Sequence, residues 1–254
     1  MKALVFSDVH GEMEAVRELM RLAPEIDCDL GLFCGDVVRG HARGDEFLSA
    51  QTEGREPNRC SPEIQQESAE DRTFYQQFYA CLRPSPFPIF GVPGNMDAPE
   101  GRYMTCALTA EGGASTLEVV HRSVARFGDW VISGLGGRIN DTERHDSLVL
   151  EYPRWEALHQ LRLFEMVEGP RIMVLHTPPV GEVVDLDNGG HKGSAVVNEL
   201  INTYRPKLAV AGHAHDAQGQ ETISDTVVVN PGALKSGNYA VLDLDGIEAD
   251  LRRL

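Results

Sequence analysis

Five short apolar runs punctuate the chain, and each ends in polar residues and a tight turn. Ala3-Leu4-Val5-Phe6 leads into Ser7-Asp8-Val9-His10-Gly11, and Leu30-Gly31-Leu32-Phe33-Cys34 into Gly35-Asp36. Pro88-Ile89-Phe90-Gly91-Val92 leads into Pro93-Gly94-Asn95, Ile172-Met173-Val174-Leu175 into His176-Thr177-Pro178-Pro179, and Leu208-Ala209-Val210-Ala211 into Gly212-His213-Ala214-His215. Continuous apolar runs of this length predict strands buried on both faces, each stopped by the Gly or Pro that follows. Trp130–Leu135, Ser147–Tyr152, Thr226–Val229 and Tyr239–Leu244 alternate less clearly and predict further strands, in a second, partly exposed sheet.

Helical spacing fills the intervals. Met13, Val16, Met20 and Ala23 share one face, with Pro24 as the expected stop. Trp155, Leu158, Leu161, Phe164 and Val167 repeat at helical spacing before Gly169-Pro170, and Val196, Val197, Leu200 and Ile201 predict a helix after Gly193-Ser194. These stripes read as core faces rather than cofactor contacts. Strands alternating with helices imply an α/β domain.

Residues 39–86 stand apart as a polar insertion with Gly40, Gly44, Gly54 and Pro57. A helix starts near Ser61-Pro62, where a serine cap precedes proline. Phe74, Tyr75, Phe78, Tyr79 and Leu82 give that helix an aromatic face. The segment reads either as a surface excursion packed on the domain or as a cap beside a site. No repeat or linker divides the chain, so residues 1–254 are expected to form one domain carrying this insertion.

Composition narrows the function classes. The 254 residues suffice for a large core, and 42% apolar with 24% charged residues is ordinary for a soluble enzyme. A net charge of -16, with lysine only at positions 2, 192, 207 and 235, argues against stable nucleic-acid binding. Cys28, Cys34, Cys60, Cys81 and Cys106 form no C-x-x-C pair and read as reduced, mostly buried thiols of a cytoplasmic protein. The sequon Asn140-Asp141-Thr142 lacks the secreted context that would give it meaning, since a strand begins at once and leaves no room for a signal peptide. No apolar stretch reaches membrane-spanning length. Self-association stays open.

The polar residues at the strand ends form the candidate site. Asp8 and His10 sit two apart, as do His213 and His215, so each pair can project toward one point. Asp36 and Asn95 each follow a glycine that lets the backbone turn sharply beside a bound ion. His176 opens a turn stiffened by two prolines. In open α/β sheets, ligands gather beyond the carboxyl ends of strands, where all seven residues would meet.

In this order, D-x-H, G-D, G-N, His and G-H-x-H, the chain resembles the calcineurin-like metallophosphoesterases across residues 8–215. Asn230-Pro231-Gly232 is also similar. His176-Thr177-Pro178-Pro179, Asp185 and His191-Lys192-Gly193-Ser194 resemble the bacterial and archaeal branch related to Icc cyclic-nucleotide phosphodiesterase. The resemblance implies a four-layer α/β/β/α sandwich of two mixed sheets. It implies one divalent ion on Asp8, His10, Asp36 and His215, and a second on Asp36, Asn95, His176 and His213, with Asp36 bridging. A hydroxide bridging the ions would attack phosphorus, as two-metal sites do. Two aspartates against two dications leave such a site cationic, able to attract a phosphoester despite the acidic chain. Mixed nitrogen and oxygen ligands suit manganese, iron or zinc, with manganese favoured.

One departure matters. The family usually places His after Gly-Asn, whereas here Met96 precedes Asp97. General acid help is worth about 10²–10⁴-fold, so its loss matters most for poor leaving groups. His191 and His41 are candidate replacements; Asp36, Asn95 and His191 are the candidate catalytic residues. Asp185 is expected either to orient His176 or another ligand or to be a loop residue, and Asp97 to brace its turn. His41 apart from that role, His121, His145 and His159 read as surface or structural. The expected function is hydrolysis of a small phosphodiester, with cyclic and nucleotide-derived substrates as candidates. The alternatives are phosphomonoester or pyrophosphate hydrolysis and, from another class, a non-catalytic metal-binding scaffold.

Overall fold

The structure is a computed structural model that describes residues 1–112, 116–142 and 148–254. It begins with β1 (Lys2–Phe6), α1 (Met13–Ile26), β2 (Leu30–Phe33), α2 (His41–Glu53), α3 (Pro62–Leu82), β3 (Ile89–Gly91) and α4 (Glu100–Gly112). There follow β4 (Leu117–Val119), β5 (Val124–Phe127), β6 (Trp130–Leu135), β7 (Arg138–Ile139), β8 (Glu151–Tyr152) and α5 (Arg154–Gln160). The remaining elements are β9 (Arg171–Leu175), β10 (Leu186–Asp187), β11 (Gly190–His191), α6 (Ala195–Tyr204), β12 (Leu208–Val210), β13 (Gly219–Ile223), β14 (Thr226–Asn230), β15 (Asn238–Asp243) and β16 (Glu248–Arg253).

Two six-stranded mixed sheets, β16-β15-β1-β2-β3-β4 and β13-β14-β12-β9-β6-β5, carry the fold. Alternation along β1 explains the layering. Ala3 and Val5 join Leu32 and Phe90 against Ile132, Ile172, Val174 and Val210 of the second sheet, while Leu4 and Phe6 face the other way, onto Val16, Leu19 and Phe78. On the far side, Val131, Met173 and Ala209 pack under Ala157 of α5 and Val197, Leu200 and Ile201 of α6. Strands buried on both faces therefore give the α/β/β/α sandwich.

Several local expectations change. Pro24 falls in the last turn, so α1 runs two residues beyond it to Ile26 and is capped by Asp27 at φ 58°. The stripe from Trp155 breaks into α5 and a 3₁₀ turn over Leu161–Met166, leaving Trp155 59% exposed while Leu161 and Phe164 are buried. The weaker strand candidates do not make a sheet of their own. β6 and β14 sit in the second sheet and β15 in the first, and β6 is buried along its whole length. Ser147 lies outside the described residues, as does His145, and strand is seen there only at Glu151–Tyr152.

The 39–86 segment supplies two helices rather than one. Tyr75, Phe78, Tyr79 and Leu82 of α3 belong to the core shared with α1 and the first sheet. Of the cysteines, only Cys34 is buried, and Cys60 is exposed. No helix among the described residues is long and apolar enough to cross a membrane.

Candidate metal centre

Strand ends from both sheets deliver the seven residues to one edge. Asp8 and His10 follow β1, Asp36 follows β2, Asn95 follows β3, His176 follows β9, and His213 and His215 follow β12. The loops lock onto one another: Asp8 N donates to Gly35 O at 2.9 Å, Met96 N to Asp36 Oδ1 at 2.7 Å, and His213 N to Asp8 Oδ2 at 3.0 Å. A Cβ on Gly94 would stand 2.0 Å from Asp36 Oδ1, and one on Gly212 1.9 Å from Ser7 Oγ. These glycines thus admit the neighbouring strand ends. Asp8, His10, Asp36 and His213 hold positive φ of 56°, 46°, 62° and 68°. Each such residue costs about 1–3 kcal/mol, a strain that concentrates at functional sites.

Two histidine rings converge on one point. His10 Nε2 and His215 Nε2 lie 3.0 Å apart, with Asp8 Oδ1 3.7 and 3.3 Å from them and Asp36 Oδ2 3.6 Å from His10. Alongside, His176 Nε2 lies 2.8 Å from Asn95 Oδ1 and 3.5 Å from Asp36 Oδ2, and its ring meets that of His213 edge-on at 5.0 Å. The ligand atoms of Asp8, His10 and His215 form one compact group and those of Asp8, Asp36 and His176 another, each within 4.8 Å. Asp8 is common to both groups, while Asp36 belongs to the second and its Oδ2 lies 3.6 Å from His10 Nε2 of the first.

This donor set fits divalent ions. Asp8 Oδ1 is buried without a hydrogen-bond partner, the kind of atom a cation would satisfy. Burial holds His176 below the usual imidazole range and His213 well below it, keeping both in the neutral form that ligates metals. Burial also pushes the Asp36 carboxyl up to about 7, with His10 pulling the other way. Asp8 moves oppositely: burial raises it, but the His10 and His215 rings close to its carboxylate together outweigh burial and leave it well below the carboxylate range. Burial likewise lowers His215, yet its contact with Asp8 leaves it raised.

The sequence pattern of the family described as metallophosphoesterase, calcineurin superfamily, matches residues 1–254. The chain belongs to this family. Its superfamily uses divalent metal ions in phosphoester hydrolysis, so the metallophosphoesterase assignment and the donor set agree. An uncharacterized protein of Methanocaldococcus jannaschii is 25% identical over 239 residues, 91% of this chain and 88% of that protein. A crystal structure 29% identical in sequence superposes with a TM-score of 0.91, covering 99% of this chain and 98% of the other. A second, from Thermus thermophilus, has a TM-score of 0.75 at 24% identity, with 99% and 98% covered.

Behind the centre of this metallophosphoesterase, Asp97 organises backbone. Its buried carboxylate accepts from Gly94 N at 2.7 Å, Asp36 N at 3.0 Å, Val37 N at 3.1 Å and the Tyr75 hydroxyl at 3.1 Å. The β2 and β3 loops, which carry Asp36 and Asn95, are thereby tied to each other and to α3. Asn230 does the same for the His213–His215 turn, its amide donating to Val184 O and Ala214 O at 2.9 Å each. Asp187 accepts from His215 N at 3.1 Å. Asp187 was not among the expected site residues, although its alternation with Asp185 before a Gly-Gly turn was a usable signal.

The centre opens into a cleft of about 730 Å³ that His191 also lines. Asp185 does not orient His176, whose Nδ1 faces Cys34 O at 2.7 Å. Asp185 is fully buried, accepts from Gly181 N and Gly193 N at 3.1 Å, and faces His191 Nδ1 at 3.0 Å. His41 is exposed at the start of α2 and does not line the cleft. His121 is buried, its Nδ1 accepting from Gly136 N at 2.9 Å, and His159 is exposed on α5. Met96 turns toward α2: its sulfur would stand 2.9 Å from a Cβ on Gly40, whose own φ is +64°.

Proposed function

We propose that this metallophosphoesterase is a dinuclear phosphodiesterase acting on small, monoanionic phosphodiesters. The observation that carries the reading is the convergence of His10 Nε2 and His215 Nε2 beside the unpartnered Asp8 Oδ1, with Asp36, Asn95 and His176 adjoining, at the floor of an open cleft. Asp8, His10, Asp36 and His215 would hold one divalent ion and Asp36, Asn95, His176 and His213 the other, with manganese favoured. Such a pair supplies a water of lowered pKa and neutralises charge on the phosphoryl oxygens.

The chain does the rest. Met96 contributes no proton at the position after Asn95, and its N–H is already committed to Asp36 Oδ1. His191 fills that role. With Nδ1–H donated to the buried Asp185 carboxylate, the doubly protonated ring passes its Nε2 proton to the leaving oxygen and is left as the neutral imidazole. Asp185 is a positioning residue, held by two backbone amides of the same loop. Asp97 and Tyr75 keep Asp36 and Asn95 in register. Monoester hydrolysis is the second reading, favoured by Arg138 and Lys192 along the same cleft, which would match a second negative charge.

The test is hydrolysis of bis(4-nitrophenyl) phosphate and 4-nitrophenyl phosphate after chelation and readdition of manganese, with Asp36→Asn as control. Chelator-sensitive diester turnover, exceeding monoester turnover and lost by at least about 10³-fold in Asp36→Asn, is expected. Faster monoester turnover would transfer the assignment to a phosphomonoesterase. Two bound ions without turnover of either substrate would leave the metal-binding scaffold.

A further inference from the structure

α2 is oriented against the usual logic of a surface helix. Its largest buried side chain is a charged one: Arg43 is 2% exposed, donating to Asp71 Oδ2 at 2.6 Å and to Met96 O at 3.0 Å. Asp71 Oδ2 also receives Arg102 at 2.6 Å, and Glu67 of α3 accepts from Ala42 N and Arg43 N at 2.9 and 3.2 Å. A polar anchor thus fixes α2 to α3, α4 and the backbone next to Asn95. Its large apolar residues go elsewhere. Phe47 and Leu48 join none of the three cores among the described residues, and Leu48 is 57% exposed.

The spacing says where they go. Gly44, Phe47, Leu48 and Gln51 fall at i, i+3, i+4 and i+7, one stripe of the helix, and all four line the cleft above the metal-binding residues. Ile139 and Val149 add apolar surface to that cleft. Its volume of about 730 Å³ exceeds what a phosphate needs and falls within the roughly 300–1,000 Å³ of small-molecule sites. An apolar stripe on a rigidly anchored helix, continuous with a phosphoester site, is a place for the organic part of the substrate.

The geometry points to a subsite in which Phe47 and Leu48 bind an aromatic substituent of the phosphodiester, a nucleobase or another planar ring, with Gln51 at its polar edge. This inference rests on the phosphodiesterase reading. It makes the substrate class one in which an aromatic group lies within a few bonds of the scissile phosphate. The stacking surface is supplied by α2, the first helix of the insertion, and not by the sheets.

The experiment compares phenyl 4-nitrophenyl phosphate with methyl 4-nitrophenyl phosphate in the manganese-loaded full chain, its Phe47→Ala variant and its Leu48→Ser variant. Leu48 is exposed enough that the second variant carries little folding cost. The aryl-to-methyl ratio of kcat/KM should favour aryl in the wild type and fall about tenfold or more in each variant. An unchanged ratio in either folded variant overturns the subsite. A separate arm uses saturation-transfer NMR with phenyl methylphosphonate and methyl methylphosphonate. Ring protons should receive saturation from the protein, and lose it in Leu48→Ser. If the wild type hydrolyses neither diester, the phosphodiesterase reading has failed, and this arm decides the subsite alone. Absence of ring saturation overturns it.

Discussion

Removing the hydroxyl of Tyr75 should destabilise the protein by about 2 kcal/mol and loosen the metal centre at a distance. The hydroxyl donates to Asp97 Oδ1 at 3.1 Å, and both residues are fully buried. A hydrogen bond to a charged group is worth about 1.5–3 kcal/mol net, and an unsatisfied buried acceptor cannot recruit water. Gly94, Asp36 and Val37 still donate to Asp97 in Tyr75→Phe, which places the loss toward the lower part of that range. The phenyl ring keeps its packing against Tyr79 and Tyr103, so no large cavity opens. For a chain of this size, about 2 kcal/mol corresponds to a Tm drop of roughly 4–8 °C. Urea unfolding of the chelated protein measures the stability term, and calorimetric manganese titration measures the effect on the centre. Affinity should fall together with stability, because the same carboxylate fixes Asp36 N and Gly94 N. A loss below about 0.5 kcal/mol, with unchanged manganese affinity, would refute the view that α3 braces the centre through this bond.

Other perturbations probe the chemistry. His191→Gln should lower kcat about 10²–10⁴-fold for a diester with an alkyl leaving group and much less for 4-nitrophenolate; equal losses on both would remove His191 as proton donor. Manganese binding should release protons below neutral pH. Asp36 is raised to about 7 by burial, and His215 is raised because Asp8 outweighs its burial. Groups with raised folded pKa values contribute stability that is complete below their unfolded pKa and lost as pH rises through the folded one. In the metal-free chain Asp36 is largely protonated at pH 6, and metal binding must expel that proton. Titrations in buffers of different ionisation enthalpy should show proton release at pH 6 that declines by about one proton as pH rises through about 7, with affinity rising over that interval. Buffer-independent enthalpies at pH 6 would contradict this assignment.

The strand ends were legible in the sequence because the signals there are local. A run such as Ala3–Phe6 can be buried on both faces only as an inner strand, and the polar residues after it must emerge at the sheet edge. Five such ends in order were enough to name Asp8, His10, Asp36, Asn95, His176, His213 and His215. The tertiary structure brings their side chains together at that edge.

What local pattern could not supply was the partner of each polar group. Nothing near Asp185 in sequence says that it faces His191 while His176 turns to the carbonyl of Cys34. Nor does the polar stretch from Gly40 to Glu53 reveal a helix anchored by a buried Arg43, since the compensating Asp71 and Met96 carbonyl come from distant segments. Trp155 repeats at core spacing but lies on a helix only two turns long, whose buried face is carried by Glu156 and Ala157. Apolar periodicity reports how a segment would bury itself. Which charges meet, which glycine admits a neighbouring loop and which apolar residues are left facing a cleft depend on contacts between segments far apart in the chain, and only the packed sheets decide those.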